Sequence, residues 1–277
     1  MAALADLSDL VNRRTGGNSG TPEDVWIFKD PRVDSAAAAA TVAGRVTSLW
    51  RYNGCPSNGA APTTVAIPDN ATAGGVRQTD PGGGRTKWLL GGSFVALAPG
   101  VLVLYDRLAH IGSLSGTSTS AQTVGGTLTR YTGGLGNEIW VEVYTQIGTT
   151  GTTVTASYTD QDGNSGSTTP ATTIGGTGFR AAERIIRLPY ASGDTGVRAC
   201  ASVTLAGTTG TAGNFGVTIA HPLLVVPLPV AGVGVTRNLL FDGGPVEVAT
   251  DACLAWAWLA NGTTAPQVHG ALHFVEA

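Results

Sequence analysis

Charge is what this 277-residue chain has least of: 19 acidic and 16 basic residues make up 13% of it, for a formal net charge of −3. The Lys and Arg residues are scattered singly, which excludes the basic stripe that a nucleic-acid groove needs. Cysteine is scarce too. Cys55, Cys200 and Cys253 are odd in number and widely spaced, which excludes a disulfide framework or a zinc site and leaves buried thiols as the expectation. The opening MAALADLSDL has no cationic region before an apolar run, so no secretory signal is expected and synthesis is placed in the cytoplasm. Membrane spans are excluded as well, because the longest apolar run, Leu223 to Val235, is short and broken by Pro227 and Pro229.

Glycine, by contrast, is abundant at 40 residues, with 14 prolines and 42% apolar residues. Such a chain has enough apolar surface to fold, and Gly/Thr-rich breaks between short apolar runs fit many strands. The clearest strand signal lies at Asn137 to Thr173. From Ile139 to Ile147 the side chains alternate, with Ile139, Val141, Val143, Thr145 and Ile147 on one face and Trp140, Glu142, Tyr144 and Gln146 on the other. A Gly148 to Gly151 break and a second β-branched run at Thr152 to Thr159 predict an antiparallel hairpin here. Further strands are expected at Val101 to Tyr105, Gly125 to Tyr131, Arg184 to Leu188, Val197 to Leu205, Phe215 to Ile219, Leu223 to Leu228, Val246 to Thr250, Cys253 to Leu259 and Val268 to Val275. Together they predict an all-β fold, an antiparallel β-sandwich of jelly-roll or Greek-key type over residues 99–277.

Residues 1–98 read differently, as a helix, a linker and an extended limb for subunit contacts. Leu4, Leu7, Leu10 and Val11 share one helical face, and Gly16 and Gly17 stop the helix. A helix of this length is marginal alone and must dock its stripe on its own domain or on a neighbouring subunit. A Gly-rich linker follows, then the apolar run Val25 to Phe28, an Ala-rich stretch at Ser35 to Ala43, and a Gly/Pro-rich limb from Asn53 to Ala98. Trp26, Trp50 and Trp88 lie in this third of the chain, as interface anchors, a carbohydrate platform, or core plugs under long loops.

The chemistry-bearing patterns are few. In DQDGNSG, Asp160, Asp162 and Asn164 put oxygen side chains at alternate positions, as a calcium loop does, but no bidentate carboxylate follows and the stretch also reads as a hairpin turn. His269 and His273 would lie about 13 Å apart along a strand, too far to share a metal. GSLSG at Gly112 to Gly116 places Leu114 where a nucleophile elbow needs serine, and GGGRTK at Gly82 to Lys87 lacks phosphate-loop spacing. No paired carboxylates stand out, so no enzyme activity and no cofactor are expected.

Four segments carry a family resemblance: LYDRLAHIGSLSGT (Leu104 to Thr117), QTVGGTLTRYTGGLGNEIWVEVYTQIG (Gln122 to Gly148), VTASYTDQDGNSGSTTP (Val154 to Pro170) and GTTGTAGNFGVTIAHPL (Gly207 to Leu223). They resemble tailed-bacteriophage proteins encoded among virion structural genes. The resemblance implies a non-enzymatic head decoration or cement protein on the capsid surface, commonly a homotrimer, with the major capsid protein as partner. In that setting Leu4, Leu7, Leu10, Val11, Trp26, Trp50 and Trp88 are the expected subunit contacts. The alternative is a tail- or baseplate-associated protein that binds a host receptor or glycan.

Overall fold

The computed structural model describes residues 7–14, 21–30 and 41–277. Leu4, most of the linker and much of the Ala-rich stretch lie outside the described residues. After the helix α1 (Leu7–Arg14) come β1 (Thr21–Asp30), β2 (Val46–Ser48), β3 (Asn53–Cys55), β4 (Lys87–Ala96), β5 (Gly100–Leu114), β6 (Gln122–Thr123), β7 (Glu138–Thr145), β8 (Thr152–Asp160) and β9 (Ser165–Thr168). Then follow β10 (Thr172–Ile174), β11 (Arg184–Leu188), β12 (Val197–Leu205), β13 (Asn214–Leu228), β14 (Val235–Asn238), β15 (Val246–Val248), β16 (Leu254–Ala260) and β17 (Val268–Glu276). The fold is all-β and its strand ladders are antiparallel.

The strands form three bodies. A closed barrel runs β11-β2-β16-β5-β13-β7; a six-stranded sheet runs β14-β4-β17-β1-β3 with β15 also on β4; a five-stranded sheet runs β10-β8-β12-β6 with β9 on β8. Each sheet packs on the barrel through its own core. Leu89, Phe94 and Phe274 of the six-stranded sheet meet Leu102, Leu104, Trp256 and Trp258 of the barrel. Val154, Tyr158 and Val203 of the five-stranded sheet meet Val141, Val143, Val217 and Ile219 on another part of the barrel wall. The two cores together bury dozens of apolar side chains, each worth roughly 1.5–3 kcal/mol when fully buried.

The spine of the molecule is the β5–β13 ladder, which runs from Gly100 opposite Leu228 to Leu114 opposite Phe215. Each strand is long enough, at 15 residues, to reach both sheets. The hairpin expected within Asn137 to Thr173 does not form, because β7 and β8 belong to different bodies. Both edges of β7 are taken, by β11 and β13, and β8 pairs instead with β9, β10 and β12. The Gly148 to Gly151 break carries the chain from barrel to sheet. A strand at Gly125 to Tyr131 also fails to form beyond Gln122–Thr123, because Gly125, Gly126 and Tyr131 take φ values of 74°, 98° and 47° in the left-handed region.

The limb before Pro99 is corrected in the same way. β1 and β4 both pair with β17, and β2 pairs with β16, so no sheet boundary falls at residues 98 and 99. Its irregular part is pinned by buried cations. Arg130 makes a forked pair with Asp106 at 2.8 and 2.9 Å and donates to the Pro68 carbonyl. Lys29 Nζ donates to the carbonyls of Tyr52, Pro56 and Ser57 at 2.8–3.3 Å. Burial pushes Lys29 down to about 7, whereas three carbonyl acceptors favour the ammonium, and the geometry requires the charged form.

Candidate functional site

The face of β7 that alternation marks as its polar side is turned into the barrel. Trp140, Glu142 and Tyr144 fill the interior with Tyr105 and Arg107 from β5 and Trp50 from the β2–β3 connection. Arg107 Nη2 donates to Glu142 Oε2 at 2.6 Å and to the Tyr144 hydroxyl at 2.8 Å. The Tyr144 and Thr218 hydroxyls donate to the same carboxylate oxygen at 2.9 and 3.0 Å. The indole of Trp50 lies 4.5 Å from the guanidinium, and Ala255 and Ala257 of β16 leave room for these rings. Burial acts to raise the Glu142 carboxyl, yet Arg107 and its hydrogen bonds overcome that and hold it below the usual range. Burial raises both tyrosines. The network is a closed internal lattice holding one ion pair, and it presents no carboxylate pair and no activated nucleophile.

His110 completes it. Arg107 Nε donates to His110 Nδ1 at 2.7 Å, and because arginine has only donors, the imidazole must be neutral with its proton on Nε2. Burial first, and the adjacent guanidinium second, push its pKa down to about 3. Between pH 3 and 6.5 the unfolded chain therefore binds a proton that the folded chain refuses. Stability contributed by this site is complete above about pH 6.5 and falls on acidification, by on the order of 4 kcal/mol at pH 3. Urea midpoints measured from pH 7 to pH 4 should fall steeply, and His110→Asn should flatten the slope; an unchanged slope in that variant would falsify the assignment.

The Asp160 turn joins β8 to β9. Its carboxylate is already satisfied: Oδ1 accepts from the backbone N–H groups of Asp162 and Asn164 at 2.8 and 2.9 Å, and Oδ2 accepts from Asn164 Nδ2 at 2.9 Å. Asn164 thus spends its side chain on Asp160 through its donor end, and Asp162 Oδ2 accepts from Gln161 Nε2 at 2.8 Å. These bonds, with the Asn164 side chain foremost, hold the Asp160 carboxyl below its usual range. Among the described residues no group of three or more His, Cys, Asp or Glu side chains is arranged to hold a metal. Calcium at millimolar concentration should leave the melting curves of the wild type and of Asp160→Asn superimposable; a calcium-dependent rise in the wild type alone would contradict this account.

The expected contact residues fall into different settings. Trp50, at 1% exposure, is enclosed by its own chain and offers nothing to a neighbour, with its Nε1 donating to the Ala60 carbonyl. Trp88 on β4 is half-buried. The thiols of Cys200 and Cys253 are buried as expected, but Cys55 on the edge strand β3 is exposed. Leu7 opens α1, and Leu10 is buried where the helix lies against β1 and β17. Arg14 secures it with an ion pair to Asp24 at 3.0 Å and a hydrogen bond to the Phe274 carbonyl at 2.9 Å. The helix therefore docks on its own sheet. It leaves Val11 53% exposed beside an apolar cleft of about 300 Å³ lined by Leu10, Leu90 and Leu240, and the next residue, Phe241, is 81% exposed.

Trp26 is the anchor that stays open, at 76% exposure on the outer face of β1. It borders a second cleft of about 390 Å³ with Ser93, Val95, Thr236 and His269. Phe28 and His269, neighbours on this face, stack obliquely with ring centres 4.9 Å apart. Neither Phe241 nor His269 stands out in the sequence as a surface group. Alternation in TPEDVWIFKD, which sets Asp24, Trp26 and Phe28 opposite Val25 and Ile27, is the signal that would have shown the open aromatic face.

No family model and no curated protein matches the chain. Among solved structures, a chain from the "Structure of infectious bursal disease virus Gt strain" is similar at 7% identity and a TM-score of 0.17, over 93% of this chain and 81% of that one, a likeness too low to carry an argument.

Proposed function

We propose that this chain is a non-enzymatic virion structural protein, a phage head decoration or cement protein that binds the outer capsid surface as a homotrimer. The observation that carries the proposal is the α1 end of the six-stranded sheet. There Val11 and Phe241 stand exposed beside an apolar cleft on a rigid scaffold. Exposed apolar groups rimmed by charged ones are the features of an assembly contact. The barrel network supports a scaffold role, since the Arg107 and Glu142 charges are paired with each other inside the wall. The six-stranded sheet facing one wall of the barrel is the part that fits a sandwich of jelly-roll or Greek-key type. Weak contacts of this kind become strong when many copies bind a repeating shell.

Removing residues 1–20 should abolish occupancy on shells while circular dichroism stays that of a β protein, although losing buried Leu10 and the Arg14 contacts should lower the melting midpoint by several degrees. Phe241→Ala should lower occupancy about tenfold, the cost of roughly 1.4 kcal/mol at a contact, with the melting midpoint nearly unchanged. Cryo-electron microscopy of particles reads the occupancy directly. Normal decoration by the truncated chain, or density for the protein in the tail, overturns the proposal.

A further inference from the structure

We propose that the ledge around Trp26 is a binding site for a neutral oligosaccharide. Strand register places Trp26, Ala271, Ser93 and Thr236 opposite one another across β1, β17, β4 and β14. One large flat ring therefore stands at the end of a row of three small side chains, a shelf of roughly 14 Å at ~4.8 Å per strand. His269 and Phe28 border the indole on the same face. The Ser93 and Thr236 hydroxyls, 3.0 Å apart, supply neutral donors and acceptors at the other end.

Three features favour a sugar as the occupant. The first is charge: among the residues lining the cleft there is no Asp, Glu, Lys or Arg. The nearest charged groups on this face are already engaged, since Asp24 pairs with Arg14 at 3.0 Å and lies 2.8 Å from His273 Nδ1 in a second hydrogen bond. A shelf without an acidic, lysine or arginine side chain complements a neutral ligand. The second is geometry. A pyranose ring offers an apolar C–H face to an indole and hydroxyls at its rim, and the shelf offers an indole face and hydroxyls in that order. The third is the backbone. β4 and β17 are interior strands whose peptide groups are used in their ladders, so a peptide lying across the middle of the shelf would find no main-chain partners there, whereas a polyol needs only side chains. The strands also hold the groups rigid before binding, which lowers the ordering cost.

This shelf adjoins the α1 end of the sheet, on which the capsid proposal rests, and shares Thr236 with the cleft there, whereas Trp26, Ser93 and His269 line the shelf alone. The test titrates the intact protein with maltohexaose, cellohexaose, laminarihexaose and chitohexaose, followed by NMR and calorimetry. At least one should bind with a Kd of about 1 mM or tighter, shifting the Trp26 indole N–H and the His269 ring signals. Trp26→Ala should weaken binding by about tenfold or more and Trp26→Phe by only a few-fold, with melting midpoints unchanged. The proposal falls if no oligosaccharide in the panel binds at about 10 mM, well above the expected Kd. It falls equally if Trp26→Ala binds as the wild type does, or if Trp26 is covered by a shell subunit or a second copy in assembled particles. Loss of sugar binding with normal shell occupancy would separate the two sites.

Discussion

Glu142→Leu will lower the melting midpoint by about 10 °C. The substitution leaves the Arg107 guanidinium fully enclosed in the barrel without its carboxylate, and uncompensated buried charges of this kind cost roughly 3–5 kcal/mol. In a domain of this size each kcal/mol moves the midpoint by about 2–4 °C. Tyr144 and Thr218 lose their acceptor at the same time, which adds to the loss. Removing both charges in Glu142→Leu/Arg107→Met should recover part of the stability, because no ion is left in a dry interior, although the Tyr144 and Thr218 hydroxyls and His110 Nδ1 still lack their partners. Differential scanning calorimetry of the single and double variants decides the matter. A single variant melting within about 2 °C of the wild type would mean that water reaches the barrel interior and screens the charge.

The second large effect lies in the connection between β7 and β8, where two glycines three residues apart should behave in opposite ways. A Cβ on Gly148 would sit 1.7 Å from the Thr209 carbonyl oxygen and 2.3 Å from its carbon, with backbone on both sides and nothing flexible to yield. The Thr209 hydroxyl donates to the Thr211 carbonyl and accepts the Gly148 N–H at 3.0 Å, so the crossing is clamped from both chain segments. Gly148→Ala should therefore cost about 3 kcal/mol or more, or yield insoluble protein. A methyl added at Gly151 would meet nothing within 4 Å, and Gly151→Ala should change stability by less than about 0.5 kcal/mol. Soluble yield and chemical denaturation of the two variants side by side give the comparison. Equal behaviour would show that the crossing is loose.

These two sites also mark where the sequence was legible and where it was not. Alternation in β7 and β8, and apolar or β-branched runs between turn residues for β11, β12, β15, β16 and β17, located these strands within a residue or two, whereas β14 was not anticipated. Alternation could not say that Trp140, Glu142 and Tyr144 face the inside of a closed barrel. A polar stripe on a strand looks the same whether it meets water or a buried arginine supplied from 35 residues away. Gly148 and Gly151 read alike as turn residues, and only the distant Thr209 loop distinguishes them. The limb from Asn53 to Ala98 concealed β4, because its two central glycines, Gly91 and Gly92, look like breakers. In place they admit the Arg237 and Ala271 carbonyls at 2.0 and 2.5 Å from where Cβ atoms would be. Of the expected contact set, Trp26 proved open and Trp50 enclosed, a difference set by long-range packing that no local pattern records.

The β5–β13 spine has a bearing on how the molecule comes apart. β5 places Leu104 in the core under the six-stranded sheet, Leu108 in the core under the five-stranded sheet and Tyr105 inside the barrel. β13 does the same with Leu224, Val217 and Ala220. Neither outer sheet can shed its partner wall without disturbing strands that the other also depends on. Amide protons along β5 and β13 are thus expected to exchange only through whole-molecule opening, and the three bodies form one cooperative unit despite their separate interiors.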